Sequence, residues 1–381
     1  MTDVVIVGGG IAGASLAIAL GRRGCSVELF EAQTFPRDKP CGEGIMPAGV
    51  AALQRLGLPD GGGGVPFRGV RYHHGSRVAV GRFPSAPGEE SCGRGQRRLV
   101  LDRQVFDIAA ATPGVCAHTA AMVAGPEVEN GRVAGVQVHG EVRRAPLVVA
   151  ADGAHSRFRH RLHLNVPVPR TRIGARRHYR LAAGRTAEPW VDIFLGRGHE
   201  FYVTPLPAGE VLVALLAEAA EVSQPLEPIF DRWRAAPPRL RQLLEGAEPV
   251  SDLLATPLAA RARAGYAPGA VLLGDAAGFL DPITGGGIAQ ALITSERLAA
   301  FIDAHRGRNS DTWVPAFERE RQALLRDYQL LTRGVLGLAR RPALAHAALV
   351  GLSYLPSLFS HLVGVSGGTR SLTPPFRTAR T

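Results

Sequence analysis

The first thirteen residues narrow the fold more than anything that follows them. Val4-Val5-Ile6-Val7 is a continuous apolar, β-branched run, too short for a helix and suited to a strand buried on both faces. Gly8-Gly9-Gly10-Ile11-Ala12-Gly13 follows at once. Small and apolar residues through Leu20 then read as a helix, and Val27 to Phe30 as a second strand. This is a βαβ unit with G-x-G-x-x-G at its first turn. Gly8 makes the tight turn, Gly10 lets a pyrophosphate approach the backbone, and Gly13 lets helix and strand pack closely. Ile11 and Ala12 open a helix whose N-terminus offers free N–H groups and the positive end of its dipole to phosphate. Glu31, 18 residues past Gly13, ends the second strand and is placed, with Ala32 after it, to meet an adenosine ribose. An acid there disfavours a 2′-phosphate. The motif by itself leaves open which dinucleotide is held.

Two later segments bear on that choice. Gly274-Asp275-Ala276-Ala277-Gly278 follows the apolar strand Val271 to Leu273, and Pro282 with Thr284-Gly285-Gly286-Gly287-Ile288 then opens a long helix. One segment thus offers a carboxylate for a polyol and a second glycine-rich helix start for an electron-rich ring edge, which suits a ribityl chain and a flavin. Between the two glycine motifs, the strand Leu147 to Ala151 runs into Asp152-Gly153-Ala154-His155-Ser156-Arg157-Phe158-Arg159.

These three motifs, in this order over most of residues 1–305, resemble the flavoprotein aromatic hydroxylases (group A, single-component monooxygenases) and the related geranylgeranyl reductases. The resemblance implies FAD as cofactor and NAD(P)H as reductant. It implies that Asp152 and Arg159 serve both cofactors, that Arg103 reaches the phosphate and ribose side of FAD, and that the backbone at Val123 holds the adenine. It assigns Asp275 to ribityl hydroxyls and the backbone of Gly286, Gly287 and Ile288 to flavin N1 and the C2 carbonyl. The element Cys41-Gly42-Glu43-Gly44 is similar to the geranylgeranyl reductase branch and puts Cys41 and Gly42 beside the flavin. That branch holds hydroxylases, reductases and halogenases. For Cys41, a small residue chosen for packing is preferred to a working thiol.

The expected fold class is α/β: a Rossmann-like FAD-binding domain of the aromatic-hydroxylase type with an inserted antiparallel-sheet substrate domain and C-terminal helices. Residues 1–66, 97–165 and 262–330 are expected to form the discontinuous FAD-binding domain, 67–96 and 166–261 the substrate-binding sheet, and 331–381 a C-terminal helical region and tail. Alternating patterns from Val70 to Val80 and from Trp190 to Leu216 support the sheet, a single strand is expected near Val133 to Val138, and residues 224–246 read as a helix pair broken at Pro237 and Pro238.

Composition removes other classes. With 46% hydrophobic and 20% charged residues in 381, the chain is neither disordered nor fibrous and is long enough for two domains. The net charge of +11 comes from scattered arginines and a single lysine, Lys39, without a basic block, which argues against nucleic acid. Four cysteines, none in metal-ligand spacing, predict neither a disulfide framework nor a metal site. A cytoplasmic protein, monomer or homodimer, is expected. The apolar stretch Ala347 to Val365 is interrupted by Ser353, Pro356, Ser357 and His361, so helices packed over the substrate domain are preferred to a membrane span, with peripheral membrane contact as the other reading.

The preferred activity is NAD(P)H-dependent hydroxylation of an apolar aromatic or polyketide-type phenol through a flavin C4a-hydroperoxide. The alternative is reduction of an alkene in an isoprenoid or lipid. A halogenase fits less well, since the Trp-x-Trp-x-Ile-Pro element is missing, and a non-catalytic FAD module fits least. His73, His178 and Tyr202, on strands expected to face the flavin, join Cys41 as candidate catalytic residues, the strand register deciding which of them point inward.

Overall fold

The computed structural model describes residues 2–85, 90–169, 171–222, 224–258 and 260–372; the expected tail at 373–381 lies outside them. Strand Val4–Val7 is buried at every position and sits inside a six-stranded sheet. Leu147–Ala150 pairs with it on one side and Val27–Phe30 on the other, both parallel, and Val115–His118 and Ala270–Leu272 extend the sheet. Only the edge strand Tyr266–Ala267 runs antiparallel. Helix Ile11–Gly21 is buried along its whole length. A β-carbon on Gly13 would overlap the Gly8 carbonyl oxygen, and Ser295 of helix Gly287–Ala304 donates to the Ala12 carbonyl at 2.9 Å, so the two helices that start at glycine turns are packed together.

The strand expected near Val133 proves to be the middle of a meander: Val123–Glu129, Arg132–Val138 and Glu141–Arg144. Its turns are Asn130-Gly131 and His139-Gly140, all four residues at positive φ, the backbone that two-residue hairpins need. Asn-Gly, at the first of them, is a dipeptide that such turns favour.

The second large sheet carries the order Glu248–Pro249, Arg172–Arg180, Glu210–Glu218, His199–Leu206, Val191–Leu195, Gly69–His74, Arg77–Arg82. All its pairs are antiparallel except one. Val191–Leu195 runs parallel to Gly69–His74, because these strands come from two separate insertions and no hairpin joins them. Helices Leu226–Ala235 and Pro238–Leu243 cover one face through Phe230 and Leu240 on Phe201, Val213 and Leu215.

The other face looks toward the six-stranded sheet and three C-terminal helices, Val314–Ala339, Pro342–Tyr354 and Pro356–Ser366. No single described helix is long and apolar enough to cross a membrane; the first two pass that test only as a pair bent by 119°. Leu349, Phe359 and Val363 are buried against Val70, Phe83 and Val191, which is the packing over the sheet expected of this region. Tyr354 and Leu355, at the corner made by Pro356, are 73% and 54% exposed.

Candidate active site

Where the two sheets and the C-terminal helices meet lies a cavity of about 1330 Å³. Gly10, Ile11, Ala12, Asp152, Asp275, Gly287 and Ile288 line its nucleotide side. Helices Ile11–Gly21 and Gly287–Ala304 both begin on a glycine, Gly10 and Gly286, with no side-chain cap, so two sets of free N–H groups open on one space. The space is real at the backbone. Among the described residues, a β-carbon on Gly10 would meet only Arg37 Nη2, at 3.4 Å, and on Gly42 or Gly287 nothing within 4 Å. Gly8 instead holds φ +104 against the Ala151 carbonyl, and Gly286 lies under the Tyr328 ring. Asp152 Oδ2 takes the Phe158 N–H at 3.1 Å while its Oδ1 is buried without a hydrogen-bond partner among the described residues, an acceptor that a ligand hydroxyl could serve. Asp275 is exposed in the cleft, and Arg159 fixes its loop through the carbonyls of Asp275 and Ala276 at 3.3 and 2.8 Å. An uncapped helix start for a diphosphate, a second for a flavin edge, and carboxylates between them fit FAD.

Not every expected contact is placed to reach it. Arg103 is turned outward, its side chain 50% exposed and paired with Asp107 one turn along. Arg103 belongs to helix Arg98–Ala111, and the arginine of that helix that lines the cavity is Arg98, five residues earlier and about 140° round the helix, which explains the error in facing. Arg98 lies beside the Cys41 thiol and shares the buried Asp102 with Arg37. Burial pushes the Asp102 carboxyl up, but Arg98 and Arg37 hold it below the usual carboxylate range. Glu31 is 7% exposed and its oxygens already serve Gly9 N at 2.9 Å, Gln33 N at 3.0 Å and Arg37 at 3.2 Å, so it braces the glycine turn before it offers anything to a ribose. Ala32 beside it is exposed. Val123 is buried and not among the cavity's lining residues; its neighbour Ala121 donates its N–H to the Glu31 carbonyl.

On the substrate side the strand register decides. Val70 and Tyr72 face the cavity, as do Val191, Ile193 and Leu195. His73 therefore faces away, against Asp192 at 2.6 Å and stacked on Phe194, in a network with Arg71. His178 is fully buried outside the cavity wall. Its Nε2 meets Glu43 Oε2 at 2.8 Å and its Nδ1 meets Ser251 Oγ at 2.9 Å. These two corrections leave Tyr202 and Cys41 in the lining. Tyr202 donates to the Ile283 carbonyl at 2.8 Å, and burial together with Glu200 raises its phenol far above the usual value. Cys41 Sγ accepts the Glu43 N–H at 3.3 Å, and the Gly42 carbonyl accepts from Thr204 at 2.8 Å. Glu43, Arg98, Arg172, Glu200 and Asp281 were not singled out as candidates by sequence reasoning. Glu43 stood inside a motif already noted, whereas the others have no local signal.

Residues 1–329 match the family described as the FAD binding domain. The chain belongs to that family. A menaquinone reductase of Mycolicibacterium smegmatis is 31% identical over 325 residues, covering 79% of this chain and 76% of that protein. A digeranylgeranylglycerophospholipid reductase of Methanocella arvoryzae is 28% identical over 337 residues, 83% of this chain and 81% of its own length. A squalene epoxidase of Aspergillus fumigatus is 34% identical over 182 residues, 43% of this chain and 37% of the relative. Among solved structures, a flavoprotein/dehydrogenase of Cytophaga hutchinsonii superposes with a TM-score of 0.82 at 20% identity, covering 96% of this chain and 93% of that one. A geranylgeranyl bacteriochlorophyll reductase-like protein of Thermoplasma acidophilum gives 0.75 at 23%, with 94% and 91% covered. This member of the FAD binding domain family is an FAD-dependent oxidoreductase of mixed α/β fold.

Proposed function

We propose that this oxidoreductase saturates a carbon–carbon double bond in a long, apolar, isoprenoid-bearing substrate. The observation that carries the reading is the cavity itself. Its wall continues from the loops assigned to the flavin past Val70, Ile193 and Leu195 to Leu331, Leu352 and Phe359 of the C-terminal helices, an apolar extension away from the loops assigned to FAD. The two imidazoles nominated to help ionise a phenol do not reach it. The names of the two reductase relatives, one acting on a quinone and one on a geranylgeranyl lipid, point the same way.

FAD, when bound, supplies two-electron transfer, with a reduced nicotinamide as the proposed source. The chain's own residues do the rest. Gly10 and Gly287 let the cofactor meet the backbone, Asp152 and Asp275 take hydroxyl donors, and the apolar strands and helices orient the chain of the substrate and exclude water. Anaerobic incubation of the FAD-loaded protein with reduced nicotinamide and a geranylgeranyl lipid, which has no quinone ring to take the electrons, followed by mass spectrometry, is expected to give a product richer by two hydrogens. A second reading, oxygen insertion, is favoured by the epoxidase relative and keeps the hydroxylase preference alive. It requires a product richer by one oxygen, formed only in air, and that result with no anaerobic reduction would replace the first.

A further inference from the structure

A buried cluster at the cavity wall sets two carboxyls against one guanidinium. Strand His199–Leu206 sends Glu200, Tyr202 and Thr204 to the cavity and Phe201 and Val203 to the opposite core. Glu200, Arg172 and Asp281 are each no more than 4% exposed. The Arg172 guanidinium contacts Glu200, reaches Asp281 at 3.2 Å and lies 3.7 Å from Glu218. Glu218 has a second cation, Arg340. Arg172 is thus left facing two buried carboxyls, and two carboxylates on one cation do not both ionise readily in a medium of low dielectric. Burial raises the Asp281 carboxyl as well, but Arg172 and the Ile283 N–H, which its Oδ1 accepts at 3.0 Å, both pull it toward the ionised form, so it is the better placed of the two to carry the charge. Glu200 has no such backbone donor. One of its oxygens meets Arg172, and the other has no hydrogen-bond partner among the described residues.

We propose that Glu200 is the acid that protonates the substrate, its neutral form favoured by having to share Arg172 with Asp281. The proposal rests on the reductase reading. In the step, the π bond breaks; one carbon takes a hydride whose electron pair comes ultimately from reduced nicotinamide, and the other takes the Glu200 proton. Two C–H bonds form, and Glu200 is left as a carboxylate that water at the cavity mouth reprotonates. The position suits the task, because Asp281 and the Tyr202-anchored Ile283 immediately precede the Gly285–Ile288 turn assigned to the flavin edge. The groups facing Glu200 are Arg172, Asp281, Glu218, Tyr202 and Tyr72. Burial, against the pull of Arg172 and with Asp281 and Glu218 adding to it, raises the Glu200 carboxyl to about 7. Both tyrosines are pushed above their ordinary values, which makes them poorer acids.

Two measurements on the FAD-bound protein decide the matter. Infrared difference spectra of wild type against Glu200→Gln should show a protonated-carboxyl stretch at pH 6 that the variant lacks and that fades with a midpoint near the raised value. In anaerobic single turnovers with dithionite-reduced protein and a geranylgeranyl lipid, followed by mass spectrometry of the saturated product, the variant should lose about 100-fold or more in rate, Glu200→Asp should recover part of it, and the wild-type rate should fall as pH rises. A missing carboxyl band, or a Glu200→Gln rate and pH profile matching wild type, overturns the assignment. A wild type that shows the band yet reduces no alkene fails instead at the reductase reading, and takes the donor role with it.

Discussion

Asp102 ties the glycine turn, the Cys41 loop and the helix Arg98–Ala111 together, so Asp102→Asn tests the polar frame behind the cofactor cleft. The carboxylate is 0% exposed and accepts Arg98 Nε at 2.8 Å, Arg98 Nη2 at 3.1 Å and Arg37 Nη1 at 2.9 Å. Asparagine keeps the shape but offers one acceptor oxygen, turns an NH₂ toward guanidinium and leaves a buried cation underpaired. Charge-assisted bonds contribute ~1.5–3 kcal/mol each and removal of one partner from a buried ion cluster costs ~3–5 kcal/mol. The expected loss is therefore about 3–5 kcal/mol, a large part of the ~5–15 kcal/mol that holds a protein folded. Urea titration at pH 7, with a slope of ~3 kcal/mol per molar, should move the midpoint down by about 1–1.7 M. The pH dependence gives a second check. Because Arg98 and Arg37 depress the folded-state pKa of Asp102, its contribution is complete above the unfolded value of ~4 and is lost as pH falls through the lower folded value. The deficit of the variant should accordingly narrow toward pH 3. A deficit under about 1 kcal/mol at pH 7, or one that does not change with acid, would refute the argument.

Gly10→Val should abolish retention of FAD, read as loss of the yellow absorbance after gel filtration, because the branched side chain would occupy the space in front of the uncapped helix; a fully yellow variant would remove the diphosphate from this turn. Arg103→Ala should bind FAD as wild type does by fluorescence titration and shift stability by no more than ~0.5 kcal/mol, since it deletes only an exposed pair one helical turn apart; a tenfold weaker affinity would restore Arg103 to the cofactor site.

What could be read in the chain was what is local. Strand, glycine turn and helix lie within eighteen residues, and each glycine's steric role follows from its neighbours, so Gly8, Gly10 and Gly13 were legible. Facing was harder. His73 and Tyr72 are adjacent, and a strand's period of two sends one into the cavity and the other into a salt-bridge network, with nothing in Tyr-His-His to say which. The helix 98–111 posed the same problem with Arg98 and Arg103. The acid–base groups were least legible of all, because their surroundings come from afar. Glu43 meets a histidine 135 residues away, and Glu200 owes its environment to Arg172 and to Asp281 in the flavin-facing loop.

The strand order of the six-stranded sheet also governs how the chain comes off the ribosome. Val4–Val7 is made first and can pair with Val27–Phe30 early, but its other neighbour arrives at residue 147, and the parallel strand outside that one only at residue 270. At ~5–20 residues per second, the sheet waits on the order of 6–24 s between those two arrivals with the edge of Leu147–Ala150 unpaired. The helix that covers Ile11–Gly21, Gly287–Ala304, comes later still. A nascent chain of this design presents an apolar edge and a greasy helix while the whole intervening sheet is synthesised, so slowing translation between residues 150 and 270 should increase its dependence on chaperones.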